Sequence, residues 1–173
     1  MITSAHKGWG VMPLDLGLGP REFHAMVRHF QIDPVRHGVE RTVPERLPEH
    51  EGLLQLLYDH RSVADREARW MATIVVTGCS GPDHLWSDLG LEHREQLSRL
   101  LLHVFYPLAS SNTLNMKWKK FLYRQLCQRE GLSLCPSPSC RECSDFPQCF
   151  GHEHPSWTLN HGAACNDAPS VPI

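Results

Sequence analysis

The sequence predicts an all-α fold: a single helical domain with an irregular cysteine-rich C-terminal metal-binding loop and a mobile tail. Leucine occurs 22 times, whereas valine, isoleucine and threonine, which favour strands, total 20. Runs that alternate apolar and polar residues are scarce, and apolar residues instead recur three and four positions apart in several windows. Both observations favour helices over strands.

The apolar spacing predicts five helices in order along the chain. Each contains apolar residues at helical spacing, and in the fourth helix Leu97, Leu100, Leu101, Val104 and Phe105 occupy the i, i+3, i+4, i+7 and i+8 positions of one face. Their approximate ranges are 21–30, 53–60, 63–78, 92–105 and 116–130.

Residues that favour helix ends place the boundaries. Ser62 is a suitable N-cap for the third helix. Gly78 and Gly131 are expected to end the third and fifth helices, because glycine readily adopts the left-handed conformation found after a helix. Pro107 is expected to end the fourth helix, since proline lacks the backbone N–H.

The rest of the chain divides around these helices. Residues 1–50 contain the first helix and a proline-containing linker, and residues 51–150 form the helical core with a cysteine cluster at 135–149. Within that core, residues 132–150 are expected to be a loop. Residues 151–173 show no periodicity and are expected to form a disordered tail, whose histidines are more loosely spaced than a metal site requires.

Composition excludes several classes of protein. The formal charge is −2, from 17 basic and 19 acidic side chains, so no general nucleic-acid binder is expected. No apolar run approaches the roughly 18 residues of a membrane span, and the first ten residues lack the apolar region of a signal peptide. The sequence therefore predicts a cytoplasmic protein without a membrane partner.

Four of the seven cysteines fall within 15 residues, in the pattern C-x4-C-x2-C-x5-C. Such short spacings allow several thiolates to converge on one point, and in a reducing compartment clustered cysteines favour a metal site over disulfides. Four thiolates suit either tetrahedral zinc or an iron–sulfur cluster, and the spacing does not separate the two. A disulfide pair or unligated thiols are the other interpretation. The candidate ligands are Cys135, Cys140, Cys143 and Cys149.

The helix before this cluster is basic. At 100° per residue, Lys117, Lys120 and Arg124 lie opposite its apolar face, and Cys127 shares their side. Nearby cations favour the thiolate form of cysteine. Because Cys127 precedes Cys135 by only eight residues, it is a candidate additional ligand beside an anion-attracting surface. The alternative is an ordinary solvated helix face with an indifferent thiol.

His84 follows Pro82 and Asp83 in a predicted turn. It is a candidate metal ligand, or a residue that orients one. The alternative is a histidine at a helix end that makes a local hydrogen bond. Cys79 fits a small buried apolar residue as well as a ligand.

Two sequence blocks carry a family resemblance. The first is NMKWKKFLYRQLCQREG at 115–131, followed by the cysteine motif. The second contains WMA at 70–72, Cys79 and DHLWSDLGL at 83–91. Together these blocks closely resemble the NifQ family of nitrogen-fixation proteins.

The resemblance implies an iron–sulfur protein that takes up molybdenum and donates it during assembly of the iron–molybdenum cofactor of nitrogenase. The four motif cysteines correspond to the cluster-binding motif of the family, with Cys127 or His84 as candidates to complete the molybdenum site. The implied partners are the cofactor scaffold complex, the nitrogenase iron protein, and molybdate or another molybdenum source. Such a protein is a carrier, not an enzyme.

Features read from the residues agree with this chemistry without establishing it. Thiolates prefer iron–sulfur clusters to hard cations. Molybdate is an oxyanion, so Lys117, Lys120 and Arg124 would raise its local concentration. Two alternatives stay open: an iron–sulfur electron carrier without molybdenum, and an interaction module whose fold is held by zinc.

Overall fold

The computed structural model describes residues 1–32, 48–131 and 146–153, and it is all-α within these ranges, as the sequence predicts, with helices joined by turns and loops. Within them no strand occurs. The predicted disordered tail lies outside the described residues from position 154 onward, and so do positions 132–145 of the cysteine-rich loop. The helices are α1 (Ile2–His6), α2 (Pro20–His29), α3 (His50–Asp59), α4 (Asp65–Cys79), α5 (Leu85–Asp88), α6 (Arg94–Val104), α7 (Tyr106–Ala109), α8 (Trp118–Arg129) and α9 (Phe146–Phe150).

The longest described helix, α4, lies at the centre of the core. It packs against α2, α3 and α5, and α3 also packs against α8. Trp70, Ile74 and Val75 of α4 are almost fully buried. Burying an apolar side chain of this size contributes roughly 1.5–3 kcal/mol, so α4 stabilises the helices around it.

Helix α8 buries the apolar face that the sequence predicts. Trp118, Phe121, Leu122 and Leu126 are all buried. The indole N–H of Trp118 donates a hydrogen bond to the Ser98 hydroxyl at 3.0 Å, which satisfies its one buried polar group. The helix ends before Gly131, whose φ of 70° is the left-handed conformation that glycine favours.

All five predicted helices are present, with boundaries shifted by a few residues. Three predictions about helix ends are wrong, those at Pro107, Ser62 and Gly78. Helix α6 ends at Val104, and Pro107 lies in the first turn of α7, where its missing N–H would have no partner within the helix. Ser62 does not cap α4, because its hydroxyl instead accepts a hydrogen bond from the Tyr106 amide at 3.1 Å.

Gly78 lies inside α4 and does not end it, since the helix continues to Cys79. A Cβ atom at position 78 would lie 2.7 Å from Cδ2 of Leu89, so the glycine allows the chain after α5 to approach α4 closely. Helix α9 is a further difference, because its residues were expected to belong to the cysteine-rich loop. Among the described residues, no helix is both long enough and apolar enough to cross a membrane.

Candidate functional site

The last cysteine of the motif, Cys149, is bound to the beginning of α8. Cys149 belongs to α9, is partly buried and packs against the core. Its carbonyl oxygen accepts a hydrogen bond from the amide of Lys117, the N-cap residue of α8, at 2.8 Å. Cys135, Cys140 and Cys143 lie outside the described residues. The site can therefore be built from Cys149 and its surroundings.

Helix α9 and Gly151 form a short turn, which we call the Cys149 turn and which holds Cys149 in place. The rings of Phe146 and Phe150 stack with centroids 4.3 Å apart, and the amide of Gly151 donates to the carbonyl of Pro147 at 2.9 Å. Glu153, just beyond this turn, forms an ion pair with Arg94 at the start of α6. The turn is thus attached to both α8 and α6.

The cations predicted to attract an oxyanion lie along α8. Lys117 and Arg124 are partly buried and Lys120 is exposed. The first turn of α8 contains no acidic residue. The positive N-terminal end of α8 and Lys117 therefore lie beside Cys149, and Lys120 and Arg124 follow further along the helix.

Cys127 is located toward the other end of the same helix. It lies ten residues after Lys117, about 15 Å further along the axis at the usual helical rise. The Cys127 thiol is partly exposed. The described residues therefore place Cys127 and the backbone of Cys149 near opposite ends of α8.

His84 is closer to the Cys149 end of α8. It is the N-cap residue of α5 and is partly buried. Its loop is attached to α8 by Lys119, whose ammonium donates to the carbonyl oxygen of Gly81 at 2.6 Å. Lys119 is two residues after Lys117. The loop of His84 and the turn of Cys149 thus both contact the N-terminal end of α8.

Sequence reasoning missed the buried ion pair between Lys119 and Asp88. The Asp88 side chain is 2% exposed and also accepts a hydrogen bond from the Asp83 amide at 3.1 Å. Burial raises the pKa of the Asp88 carboxyl, against the lowering effect of Lys119. The two residues are 31 positions apart in the sequence, so no local spacing predicts the ion pair.

Cys79 lies near this ion pair, in the last turn of α4. Burial raises the pKa of its thiol to about 12. A thiol that holds its proton so firmly is a poor metal ligand in this conformation, because metals bind the thiolate. The structure supports the apolar, structural interpretation of Cys79.

A cavity of about 550 Å³ adjoins the Cys149 turn. Trp86, Arg94, Phe150 and Glu153 are among the residues that line it. Among the described residues, no three histidine, cysteine, aspartate or glutamate side chains converge as a metal site. Three of the four motif cysteines lie outside those residues.

Comparison with known proteins identifies relatives of this chain. The NifQ family model matches residues 1–151. The chain is 41% identical to Protein NifQ of Azotobacter vinelandii over 167 residues, which cover 88% of this chain and 86% of that protein. It is 37% identical to Protein NifQ of Rhodobacter capsulatus, with 86% and 83% covered, and 36% identical to Protein NifQ of Klebsiella pneumoniae, with 84% and 91% covered. No solved structure gives a significant match.

Proposed function

Because this chain belongs to the NifQ family, we propose that it is an iron–sulfur protein that binds molybdenum. It donates this metal during assembly of the nitrogenase iron–molybdenum cofactor, and so acts in nitrogen fixation as a carrier, not as an enzyme. One observation carries the proposal: the last cysteine of a C-x4-C-x2-C-x5-C motif lies at the start of a helix that is rich in cations.

The donor set fits an iron–sulfur core. The proposed ligands are Cys135, Cys140, Cys143 and Cys149, all soft thiolates. The one described member, Cys149, is partly buried and belongs to the same short helix as the stacked rings of Phe146 and Phe150. Partial burial limits the access of water to a metal site.

Molybdenum would arrive beside this core. Lys117, Lys120 and Arg124 would attract molybdate, since a surface of one charge raises the local concentration of an opposite ion. His84 and Cys127 are the candidates to complete the molybdenum site. The loop of His84 is attached to the first turn of α8, at the end where Cys149 is bound, and this favours His84 over Cys127 near the other end.

The partners follow from the proposed role. A donor of molybdenum must contact the scaffold complex that builds the cofactor, and we propose that the nitrogenase iron protein takes part in the same assembly. With these proposed partners, we propose the cytoplasm as the site of this activity.

Metal analysis of protein purified without oxygen tests the proposal. We expect brown protein that contains iron, sulfide and molybdenum. Iron and sulfide without molybdenum, even after incubation with molybdate and a reductant, would instead identify an electron carrier. Colourless protein with one zinc ion would identify a zinc-held interaction module, and either result would overturn the proposal.

Alanine variants then assign the ligands. Cys149→Ala should lose most of the bound iron, whereas Cys79→Ala, a matched control at a buried thiol, should retain it. His84→Ala and Cys127→Ala should both retain iron. A variant that keeps iron but loses molybdenum identifies the residue that completes the molybdenum site. Normal molybdenum content in both variants would remove both residues as candidates.

A further inference from the structure

The guanidinium group of Arg94 binds two segments of the chain that are joined by the hydrogen bond between the Lys117 amide and the Cys149 carbonyl. Arg94 is the first residue of α6, and its side chain is 15% exposed. It forms the ion pair with Glu153 and donates hydrogen bonds to the carbonyl oxygens of Met116 at 2.7 Å and Asn115 at 3.2 Å. A third bond, at 3.0 Å, reaches the side-chain oxygen of Asn115.

These contacts surround the hydrogen bond from the Lys117 amide to the Cys149 carbonyl. Met116 directly precedes Lys117, and Glu153 follows Cys149 by four residues. Arg94 therefore holds the two segments that meet at this hydrogen bond. We call Arg94, Glu153 and the backbone carbonyls of Asn115 and Met116 the Arg94 clamp.

The clamp is a specific feature and not a chance surface contact. The Glu153 side chain is only 6% exposed. A buried carboxylate without its partner is strongly unfavourable, so Glu153 retains this position only while Arg94 is present. The planar guanidinium also presents several N–H donors in fixed directions, which a lysine ammonium does not.

We propose that the Arg94 clamp positions Cys149 to bind the metal cluster. This inference rests on the proposed function for the identity of the cluster, but not for the geometry. Arg94 and Glu153 act on Cys149 through the two chain segments that they hold together, and so they are positioning residues. Groups that orient metal ligands from outside the ligand set typically change metal affinity by about 10–100-fold when they are mutated.

The first test uses metal-free protein. Arg94→Gln should accelerate hydrogen exchange at the Lys117 amide, measured by NMR, and alkylation of Cys149, measured by peptide mass spectrometry. Arg129→Gln is the matched control, because Arg129 forms an ion pair with Asp59 at the other end of α8. Unchanged rates at both positions in a folded Arg94→Gln protein would overturn the proposal.

The second test uses protein reconstituted with iron and sulfide without oxygen. Release of iron to a chelator should be about tenfold faster in Arg94→Gln and Glu153→Gln than in the original protein. Arg94→Lys should restore little, because it cannot reach the same set of acceptors at once. Equal release from the Arg94→Gln and Arg129→Gln proteins would contradict the clamp.

The two tests separate this inference from the function it rests on. If the original protein takes up no iron, the proposed function fails, while the exchange and alkylation rates still decide whether the clamp positions Cys149. If Arg94→Gln does not fold, Glu153→Gln supplies the same comparison, since it removes the charge and retains the shape of the side chain.

Discussion

At the scale of single residues, the sequence identifies chemical types but not their pairings. Lys119 looks like one more cation of a basic helix, yet it binds the buried Asp88 and the carbonyl of Gly81. Arg94 is likewise an ordinary charge at the start of a predicted helix. Both side chains find partners that are far away in sequence, and only the fold brings these together.

Lys119→Met should destabilise the protein strongly. The substitution keeps the length of the side chain and leaves the Asp88 carboxylate buried without its cation. Breaking a buried ion pair from one side costs about 3–5 kcal/mol. Urea unfolding of the metal-free protein measures this decrease in the free energy of unfolding. A decrease no larger than that caused by an ordinary surface substitution would show that the ion pair contributes little.

The exposed pair of Arg61 and Asp65 supplies the control for this measurement. These side chains are 36% and 66% exposed, and water screens their attraction. Arg61→Met should therefore leave the urea midpoint nearly unchanged.

The loss in Lys119→Met should also depend on pH. Without the ammonium, the raised pKa of Asp88 rises further above its ordinary value of 3.8. A carboxyl with a higher pKa in the folded chain binds its proton more tightly there, so the free energy of unfolding falls as pH rises through that range. The deficit should therefore be small below the ordinary value and grow above it. Adding Asp88→Asn should remove this dependence.

Cys79 should resist alkylation in the folded protein. Burial raises the pKa of its thiol to about 12, so almost no thiolate forms at pH 8. Cys127, which is partly exposed, should react first. Peptide mass spectrometry after a short treatment with iodoacetamide distinguishes the two. Equal reaction of Cys79 and Cys127 without denaturant would contradict the burial of Cys79.

At the scale of helices, hydrophobic spacing predicts the elements that bury a full apolar face. Helix α8 is the clearest case, with its apolar face and its end at Gly131 both as expected. The short helices α5, α7 and α9 contain four or five residues, too few for a periodic pattern to appear. Pro107 shows a second limit of prediction from sequence, because a proline is compatible both with the end of one helix and with the first turn of the next.

The cations of α8 should control the rate of molybdenum loading. Lys120→Gln removes an exposed charge and should slow uptake from molybdate a few-fold at low salt, because charged surfaces steer opposite ions. The difference should shrink as salt is added, since ions screen exposed charges. Stopped-flow or rapid-filtration assays at two salt concentrations measure both effects.

Two comparisons decide this prediction. Arg129→Gln is the control, because Arg129 already pairs with Asp59 near the far end of α8. If Lys120→Gln and Arg129→Gln slow uptake equally, only the net charge of the protein matters. A rate that does not respond to salt would exclude electrostatic attraction by this face.

At the scale of the whole molecule, the candidate site depends on how the chain returns to α8. It leaves this helix at Gly131, and the turn that contains Cys149 lies at the opposite end. Twelve helical residues separate these points, about 18 Å along the axis. The cysteine spacing predicts which atoms bind metal, but it carries no information on this placement, which depends on contacts with Lys117 and Arg94.

Because the motif cysteines occur on both sides of Arg141, loading with metal should protect this residue from trypsin. A cluster bound by Cys140 and Cys143 would constrain the two neighbouring peptide bonds, since metal binding and folding are coupled at such sites. The far-ultraviolet circular dichroism should change little, because α1–α8 are formed by residues outside the motif. Cleavage at Arg141, followed by mass spectrometry, should therefore be slower in loaded than in metal-free protein, and removal of the metal by a chelator should restore it. Cleavage at Arg61, an exposed residue in the connection between α3 and α4, serves as the internal control. If loading slows cleavage at both sites equally, the metal stabilises the whole fold. If it slows neither, the motif does not enclose the metal.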